Sequence, residues 1–283
     1  MIIRTRTKIN LVRYLYRVVS FCRLLFGLSD RVQVRRGGIN WDLDISEGID
    51  FSIFVVRTFE RSTAHALKSL TKSGDTILDI GANIGAHTLP LASAVGPDGH
   101  VIAFEPTDFA FSKLKRNLAL NPEMSRRVTA EQMMLVAEAG AKETASQYSS
   151  WPLKERRELH KVHLGQQMTS LHAKSVRLDD YLKSNKINHV NLIKLDVDGH
   201  ELQVLRGAVD CLNRFRPCIV MEFASYLYQE YHDSFVELID LLNGYGYQYR
   251  ECGSRKRKPL DSTVLQEQIP YGASINVILE IPA

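Results

Sequence analysis

The sequence predicts an α/β fold organised around one nucleotide-binding βαβ unit. An apolar run at residues 76–80 follows a Gly74-Asp75 turn and leads into a loop of small residues, 81–85. A helix-like segment at residues 87–95 comes next, and a second apolar run at residues 100–104 then ends in Glu105. A strand, a tight loop, a helix and another strand in this order are typical of domains that bind nucleotides.

The loop and its flanking acids indicate the kind of ligand. Gly81 and Gly85 leave room for a sharp turn and a close ligand, and Asp79 ends the strand beside the next helix's free N–H groups. Glu105 lies 20 residues after Gly85, where a carboxylate can accept hydrogen bonds from both ribose hydroxyls. Asn83 stands where a dinucleotide motif has its second glycine, so an NAD-type oxidoreductase is disfavoured. These five residues therefore predict a site for S-adenosylmethionine, an adenosine with a cationic tail.

Composition excludes little and favours an ordinary globular protein. The 283 residues suffice for one large domain or two small ones, and 45% are hydrophobic and 24% charged. The net charge of +4 is too small to indicate nucleic acid by itself. The four cysteines form no C-x-x-C pair and lack the spacing of a zinc site, so we expect free thiols, no metal and a cytoplasmic location.

The first 44 residues are predicted to form a basic, amphipathic extension before a domain at residues 45–283. Residues 1–36 contain nine Lys or Arg and one acid, a balance of +8, which leaves −4 for the remainder. Residues 9–28 have helical periodicity, but arginines at 13, 17 and 23 interrupt the apolar run, so it should not span a membrane. It also lacks the features of a signal peptide. Residues 1–28 could dock on the domain, mediate self-association or contact an anionic membrane surface.

The elements around the central unit follow from periodicity. Short strands are expected at residues 32–34, 41–45 and 53–56, and a helix at residues 59–72. Within this helix Glu60 could face the cofactor or lie on a solvated face. Asp108 could cap a helix ending near residue 121. A third strand is expected at residues 128–136, with residues 133–135 against the adenine ring.

A polar insert at residues 140–175 then interrupts the alternation. It includes a charged, helix-like run at residues 153–163. An insert this long between strands is uncommon without a role. It could be a lid or acceptor-binding element, or a poorly ordered loop.

The candidate catalytic residues follow two later strands. Residues 190–195 lead into Asp196, His200 and Glu201, and residues 218–221 lead into Glu222. The carboxyl ends of parallel strands are where α/β sheets bind ligands. His200 is the first candidate for general base because its ordinary pKa lies near neutrality, with Asp196 and Glu222 as alternatives. Asp196 and Glu222 could also hold a divalent metal, although a metal-free site is favoured.

The end of the chain completes the predicted sheet. We expect helices at residues 201–213 and 234–242, and a final strand pair at residues 247–251 and 275–281. The Asp196–Gly199 segment resembles a calcium loop only in part, because its glycine falls at the fourth position rather than the sixth.

Three stretches together resemble the FkbM-type methyltransferases, a class I S-adenosylmethionine-dependent family. They are DIGANIG (79–85), VRLDDYL with IKLDVDGHELQVLRGA (176–182 and 193–208), and RPCIVMEF (216–223). The resemblance covers roughly residues 45–283. It implies a Rossmann-like, seven-stranded, mostly parallel sheet with helices on both faces and an antiparallel last strand. It also implies O-methylation of a hydroxyl on a sugar, glycan or related natural product.

The same resemblance implies roles for single residues. Asp79, Gly81 and Gly85 would hold the methionine end of the cofactor, Glu105 the ribose, and Asp196 and Glu201 would lie at the catalytic mouth. Two positions depart from the family pattern, since Asp198 replaces a common Glu and His87 a common aromatic residue.

Two alternatives stay open. The acceptor could be a protein, lipid or nucleic acid, although the N-terminal location of the positive charge argues against nucleic acid. The chain could also be a cofactor-binding protein without turnover.

Overall fold

The computed structural model describes residues 4–140, 147–154, 159–228 and 234–282. The helices are α1 (Thr5–Leu25), α2 (Gly48–Val56), α3 (Arg61–Leu70), α4 (Thr88–Ala94), α5 (Asp108–Ala119), α6 (Pro122–Ser125), α7 (Leu178–Ser184), α8 (Glu201–Arg206), α9 (Val209–Phe215), α10 (Ser225–Tyr228), α11 (Phe235–Gly244) and α12 (Ser262–Gln268). The strands are β1 (Arg31–Arg36), β2 (Ile39–Asp44), β3 (Thr76–Ile80), β4 (His100–Phe104), β5 (Val128–Glu131), β6 (Met133–Leu135), β7 (Gln147–Ser150), β8 (Gln166–Met168), β9 (Lys174–Val176), β10 (Leu192–Leu195), β11 (Cys218–Phe223), β12 (Gln248–Glu251) and β13 (Ile275–Glu280).

Seven strands form one mostly parallel sheet in the order β12-β13-β11-β10-β3-β4-β5. The last strand, β13, pairs antiparallel with both of its neighbours, whereas the other pairs are parallel. This confirms the predicted Rossmann-like fold. The strand order reverses between β3 and β10, and the crevice beyond the carboxyl ends of such strands is where open α/β sheets bind ligands.

The sheet is covered on both faces, as its apolar strands require. Ile77 and Leu192 pack into one core cluster, and their neighbours Leu78 and Ile193 pack into another. All five residues of β3 are buried. A strand that is buried on both faces reads as a continuous apolar run, which explains why β3 was recognisable from the sequence.

Two predicted strands are wrong in part. Residues 53–56 belong to helix α2, whose Ile49 and Ile53 are buried one helical turn apart. The run 128–136 is broken at Gln132 into β5, in the main sheet, and β6, which pairs with β9 instead.

Two helix predictions are also corrected. The predicted helix 201–213 divides at Gly207, where a Cβ would lie 2.2 Å from the Val136 carbonyl oxygen. The cap of α5 is Thr107, whose hydroxyl accepts a hydrogen bond from the Ala110 N–H, and not Asp108. Asp108 instead accepts a hydrogen bond from Gln132.

The predicted N-terminal helix is present as α1 and contacts the domain. Tyr16 is buried against Phe51 and Leu153, and its hydroxyl donates to Asp30 over 2.7 Å. In the described part of the chain, no helix combines the length and apolar character needed to cross a membrane.

The insert is described only in part. Strands β7 and β8 form an antiparallel hairpin within it. Residues 141–146 and 155–158 lie outside the described residues. The helix-like run expected at residues 153–163 is therefore described only at residues 153–154 and 159–163, which are not helical.

Candidate active site

A cavity of about 450 Å³ opens at the carboxyl ends of β3, β10 and β11. Its size falls within the range of roughly 300–1,000 Å³ that is usual for small-molecule sites. The predicted residues on its wall are Gly81, Asn83, Glu105, Glu60, Asp196 and Glu222. The wall also includes Lys194, Asp198 and His87, and three residues of the insert, Tyr148, Trp151 and His163. The topological switch point therefore brings most of the predicted site together.

The loop after β3 can only be made with glycine at its first bend. Gly81 has φ +78°, and a Cβ there would lie 1.8 Å from the Asp196 carbonyl oxygen. The N–H groups of Gly81 and Ala82 both donate to the Phe104 carbonyl. Gly85 also has a positive φ, and its Cβ would lie 2.8 Å from Leu114. The loop is thus held close to the neighbouring strand ends, with its backbone on the cavity wall.

Glu105 ends β4 and connects to the same loop. One carboxylate oxygen accepts from the Asn83 N–H over 2.9 Å, and the other accepts from the N–H and hydroxyl of Thr107. Burial raises the pKa of the Glu105 carboxyl, although these hydrogen bonds oppose the rise. A carboxylate has about four lone-pair sites, so Glu105 retains acceptor capacity towards the cavity that it lines.

Asp79 lies behind the loop and contacts Lys194. It is fully buried, accepts from the Thr88 hydroxyl over 2.6 Å, and lies 3.5 Å from the Lys194 Nζ. Lys194 also donates to the Gly81 carbonyl over 2.7 Å and lies 3.7 Å from Asp196. Burial lowers the pKa of Lys194, but Asp196, Asp79 and Glu60 outweigh it, and the net pKa is raised. The charged ammonium therefore connects the loops after β3 and β10.

A second, apolar hollow adjoins the main cavity. Gly81, Pro106 and Val197 line both, and the hollow is also lined by Phe104, Met133, Met134, Leu135, His200 and Val204. Residues 133–135, which were predicted to contact the adenine ring, thus line a hollow beside the loop after β3. His200 shares this hollow and is not among the described residues that line the main cavity.

Three carboxylates meet on the wall of the main cavity, where β10 and β11 end. Oxygen atoms of Asp196, Asp198 and Glu222 lie within 4.8 Å of one another, a spacing at which they could also hold a metal ion. Burial and the nearby Asp196 and Glu60 charges raise the pKa of Glu222 to about 8. Burial, Asp196 and Glu222 raise the pKa of Asp198 well above its ordinary value. The cluster therefore includes a carboxyl that takes up and releases a proton near neutral pH.

Glu60 contributes a fourth carboxylate from another direction. It immediately precedes α3 and accepts from the Asn276 side chain over 3.1 Å. Burial and the Asp196 charge raise the pKa of Glu60 to about 7. The helix prediction at residues 59–72 therefore began two residues too early.

Three of these wall residues have unusual backbone conformations. Glu60, Asn83 and Asp198 have φ values of 43°, 48° and 51°, and all three line the cavity. A positive φ is tolerated by Asn and Asp and costs more in Glu. Such conformations cluster at functional sites, where the surrounding structure enforces them.

Glu201 supports the loop from outside the cavity wall. Its carboxylate accepts from the N–H groups of Val197 and Gly199 and from the Tyr228 hydroxyl. These contacts fix the turn that carries Asp196 and Asp198. The geometry makes Glu201 a positioning residue.

The insert forms part of the cavity wall and is tied to the cofactor loop. The Asn83 side-chain amide donates to the Ser149 carbonyl over 3.2 Å, and the Thr107 hydroxyl donates to the Ser149 hydroxyl over 2.8 Å. Tyr148 and Trp151 flank Ser149 and line the cavity. This placement suits the acceptor-binding role considered for residues 140–175.

The residues predicted for the site did not include Lys194, His87 or Asp198, which also line the wall. Lys194 was overlooked, although a lysine inside the apolar run 192–195 was a visible signal, because a buried lysine needs charged partners. His87 was noted only as a departure from a family pattern. Burial and Lys194 lower the pKa of His87 to about 4, so its imidazole is neutral at pH 7.

The sequence matches the Methyltransferase FkbM domain family over residues 79–249. The hexuronic acid methyltransferase AglP of Haloferax volcanii is 27% identical over 57% of this chain and 61% of its own length. Methyltransferase 1 of Beauveria bassiana is 30% identical over 47% of this chain and 58% of its own. Methyltransferase sdnD of Sordaria araneosa is 29% identical over 48% of this chain and 61% of its own. The chain thus spans about three fifths of the length of these relatives.

The matched segment begins at Asp79 and extends past Glu222, so it includes both the loop after β3 and the carboxylates after β10 and in β11. It covers more than half of the 283 residues. The seven-stranded sheet agrees with the fold that the family resemblance implied. This chain belongs to the FkbM methyltransferase family, whose cofactor is S-adenosylmethionine.

Proposed function

We propose that this chain is an S-adenosylmethionine-dependent methyltransferase that methylates a hydroxyl group of a sugar, glycan or related natural product. The cavity is the observation that supports this most. Its wall combines the Gly81–Asn83 loop and Glu105 with a group of four carboxylates, Glu60, Asp196, Asp198 and Glu222.

The chain's own residues fit the cofactor in three ways. Glu105 has acceptor capacity left for ribose hydroxyls. The hollow beside it, about 20 Å³, is too small to enclose an adenine ring but would place Met133 and Leu135 along one edge of it. The carboxylates favour a positive charge nearby. When bound, S-adenosylmethionine supplies a methyl group activated by a positively charged sulfur.

Glu222 is the best-placed general base in this proposal. It lines the cavity, and its pKa of about 8 makes it a stronger base than an ordinary carboxylate. It would take the proton from the acceptor hydroxyl as that oxygen forms its bond to the methyl carbon and the carbon–sulfur bond breaks. Asp196, held beside Lys194, would orient the hydroxyl. His200 lines the adenine-side hollow, which suits cofactor binding better than proton transfer.

The wall composition favours a sugar-like acceptor. Phe59, Tyr148, Trp151 and Tyr226 provide aromatic surface beside the carboxylates. The apolar faces of a sugar ring pack against aromatic side chains, and its hydroxyls donate to carboxylates. The relative named as a hexuronic acid methyltransferase is consistent with a sugar acceptor.

A methyl-transfer assay tests the proposal. The protein would be incubated with S-adenosylmethionine carrying a labelled methyl group and a panel of sugars, nucleotide sugars and glycans. We expect the label on an acceptor oxygen, located by mass spectrometry and NMR. The assay would be run with and without EDTA, and we expect turnover in both because Lys194 already places a positive charge 3.7 Å from Asp196.

Cofactor binding provides the control. We expect calorimetry to detect binding by the wild type and at least about tenfold weaker binding by Glu105→Gln, which loses charged acceptor oxygens at the ribose position. Unchanged affinity in this variant would show that Glu105 does not contribute to cofactor binding. Cofactor binding without label transfer to any acceptor would favour a protein without turnover.

A further inference from the structure

Helix α1 packs against the domain through its more polar side. The Arg13 guanidinium donates to the Pro152 carbonyl over 3.0 Å, and the Tyr16 hydroxyl donates to Asp30 over 2.7 Å. At its start, the Thr5 N–H donates to the Gly272 carbonyl over 2.9 Å. Val12 and Val19 pack beside Tyr16 and are only partly buried. These contacts fix which side of the helix faces outward.

The outward side carries an apolar stripe. Leu11, Phe21 and Leu25 are 63%, 63% and 69% exposed, and Tyr14 and Val18 between them are also exposed. Of the sixteen large hydrophobic residues that are exposed in the described part of the chain, nine lie in α1 and the turn after it: Leu11, Tyr14, Leu15, Val18, Phe21, Leu24, Leu25, Phe26 and Leu28. A surface helix normally turns its apolar side to the core. A contiguous apolar surface that faces outward marks an interaction site.

Positive charge surrounds this stripe. Arg4, Arg6, Lys8 and Arg17 are exposed on the same helix or at its start. Residues 1–36 carry a balance of +8, against −4 for the rest of the chain. Apolar residues with flanking Lys and Arg are the composition that binds in the interface of an anionic membrane. A second copy of the chain would instead bring like charges together, which disfavours pairing of two stripes.

We propose that α1 docks this protein on an anionic lipid surface, with the stripe from Leu11 to Leu25 in the interfacial region and the neighbouring Arg and Lys side chains at the phosphates. The polar side that packs on the domain stays in place. The same helix contributes Thr5, Lys8, Ile9 and Val12 to the cavity wall, so the docked surface and the cavity share one element. This inference does not depend on turnover.

Vesicle co-sedimentation of the full chain tests the proposal. We expect binding to vesicles of phosphatidylglycerol and phosphatidylcholine in equal parts, and weaker binding to phosphatidylcholine alone or in high salt, where charges are screened. The double variant Val18→Asp/Phe21→Asp should bind at least about tenfold more weakly because it puts charge into the apolar stripe. The matched control Val264→Asp changes an exposed valine on α12 and should bind like the wild type.

Circular dichroism and thermal unfolding would check that both variants fold. No binding to either kind of vesicle would overturn the proposal, as would equal binding to both. Analytical ultracentrifugation tests whether the stripe instead pairs two copies of the chain. A concentration-dependent dimer that the double variant abolishes, together with no vesicle binding by the wild type, would show such pairing and overturn the proposal.

Discussion

Single carboxyl groups in the cavity differ from ordinary carboxylates because they are crowded and shielded from water. Glu222 shows this most clearly, with a pKa raised to about 8 by burial and by the Asp196 and Glu60 charges. The position of Glu222 at a strand end was predictable from the sequence, whereas its raised pKa was not. The shift depends on Glu60, which comes from a distant part of the chain.

The first prediction concerns the pH dependence of turnover. If Glu222 is the base, its ionised form is the active one, so kcat should rise with pH and level off above about 8. Glu222→Gln should lower kcat by roughly 100- to 10,000-fold and remove the rise. The matched variant Glu60→Gln should keep the rise but move it to lower pH, because the Glu60 charge helps to raise the Glu222 pKa. A wild-type profile in Glu222→Gln would show that another group takes the proton.

A second prediction separates His200 from Glu222. Because His200 lines the hollow that we propose for the edge of the adenine ring, His200→Ala should weaken cofactor binding several-fold and leave kcat at saturating cofactor within about threefold. Calorimetry and steady-state rates measure the two effects separately. A loss of about 100-fold in kcat with unchanged affinity would restore the base role that the sequence first indicated for His200.

At the scale of elements, the loops after β3 and β10 are held together by one buried cation. Lys194 contacts Asp79, Asp196 and the Gly81 carbonyl. Gly81 was predictable because its loop follows an apolar strand. Its close approach to the Asp196 carbonyl was not, because the two residues are far apart in sequence.

The third prediction tests this link. Lys194→Met should lower the free energy of unfolding by about 3–5 kcal/mol, since it leaves Asp79 as an uncompensated buried charge. The double variant Lys194→Met/Asp79→Asn should recover part of that loss. Lys68→Met, at an exposed position on α3, should stay within about 0.5 kcal/mol of the wild type. Urea unfolding measures all three, and equal losses in the single and double variants would contradict the link.

At the scale of the whole molecule, the order of strands and helices predicted the α/β class, and the family resemblance implied the seven-stranded sheet. The irregular parts were not predicted. The parallel strands were recognisable because their residues are buried on both faces. Helix α2 was mistaken for a strand because Ile53, Val55 and Val56 favour strands locally, while packing of the N-terminal region decides their conformation. The orientation of α1 could not be predicted from the sequence, because a helical wheel shows an apolar side but not which side packs against the domain.

The fourth prediction concerns stability of the cofactor-free protein. Folding raises the pKa of Glu222 from 4.5 to about 8 and that of Glu60 from 4.5 to about 7. At pH values between the unfolded and folded pKa, the folded state therefore binds more protons than the unfolded state. Their contribution to stability is complete below the unfolded pKa and is lost as pH rises through the folded values. Each pH unit over which one of these groups is protonated only in the folded state is worth about 1.4 kcal/mol, so the Tm should fall by roughly 5–10 °C between about pH 6 and pH 9.

Thermal unfolding at each pH measures this change. The double variant Glu60→Gln/Glu222→Gln lacks both titrating groups and should show a flatter profile. A wild-type Tm that rises across the window would show that other groups dominate the pH dependence.

The hydrogen bonds from Asn83 and Thr107 to Ser149 join the loop after β3 and the end of β4 to the insert. In the proposed enzyme they would connect the cofactor side of the cavity to the acceptor side. If a bound acceptor changes the affinity for the cofactor through this connection, linkage requires the cofactor to change the affinity for the acceptor by the same factor. Cooperativity between the two substrates would then be a property of this one junction.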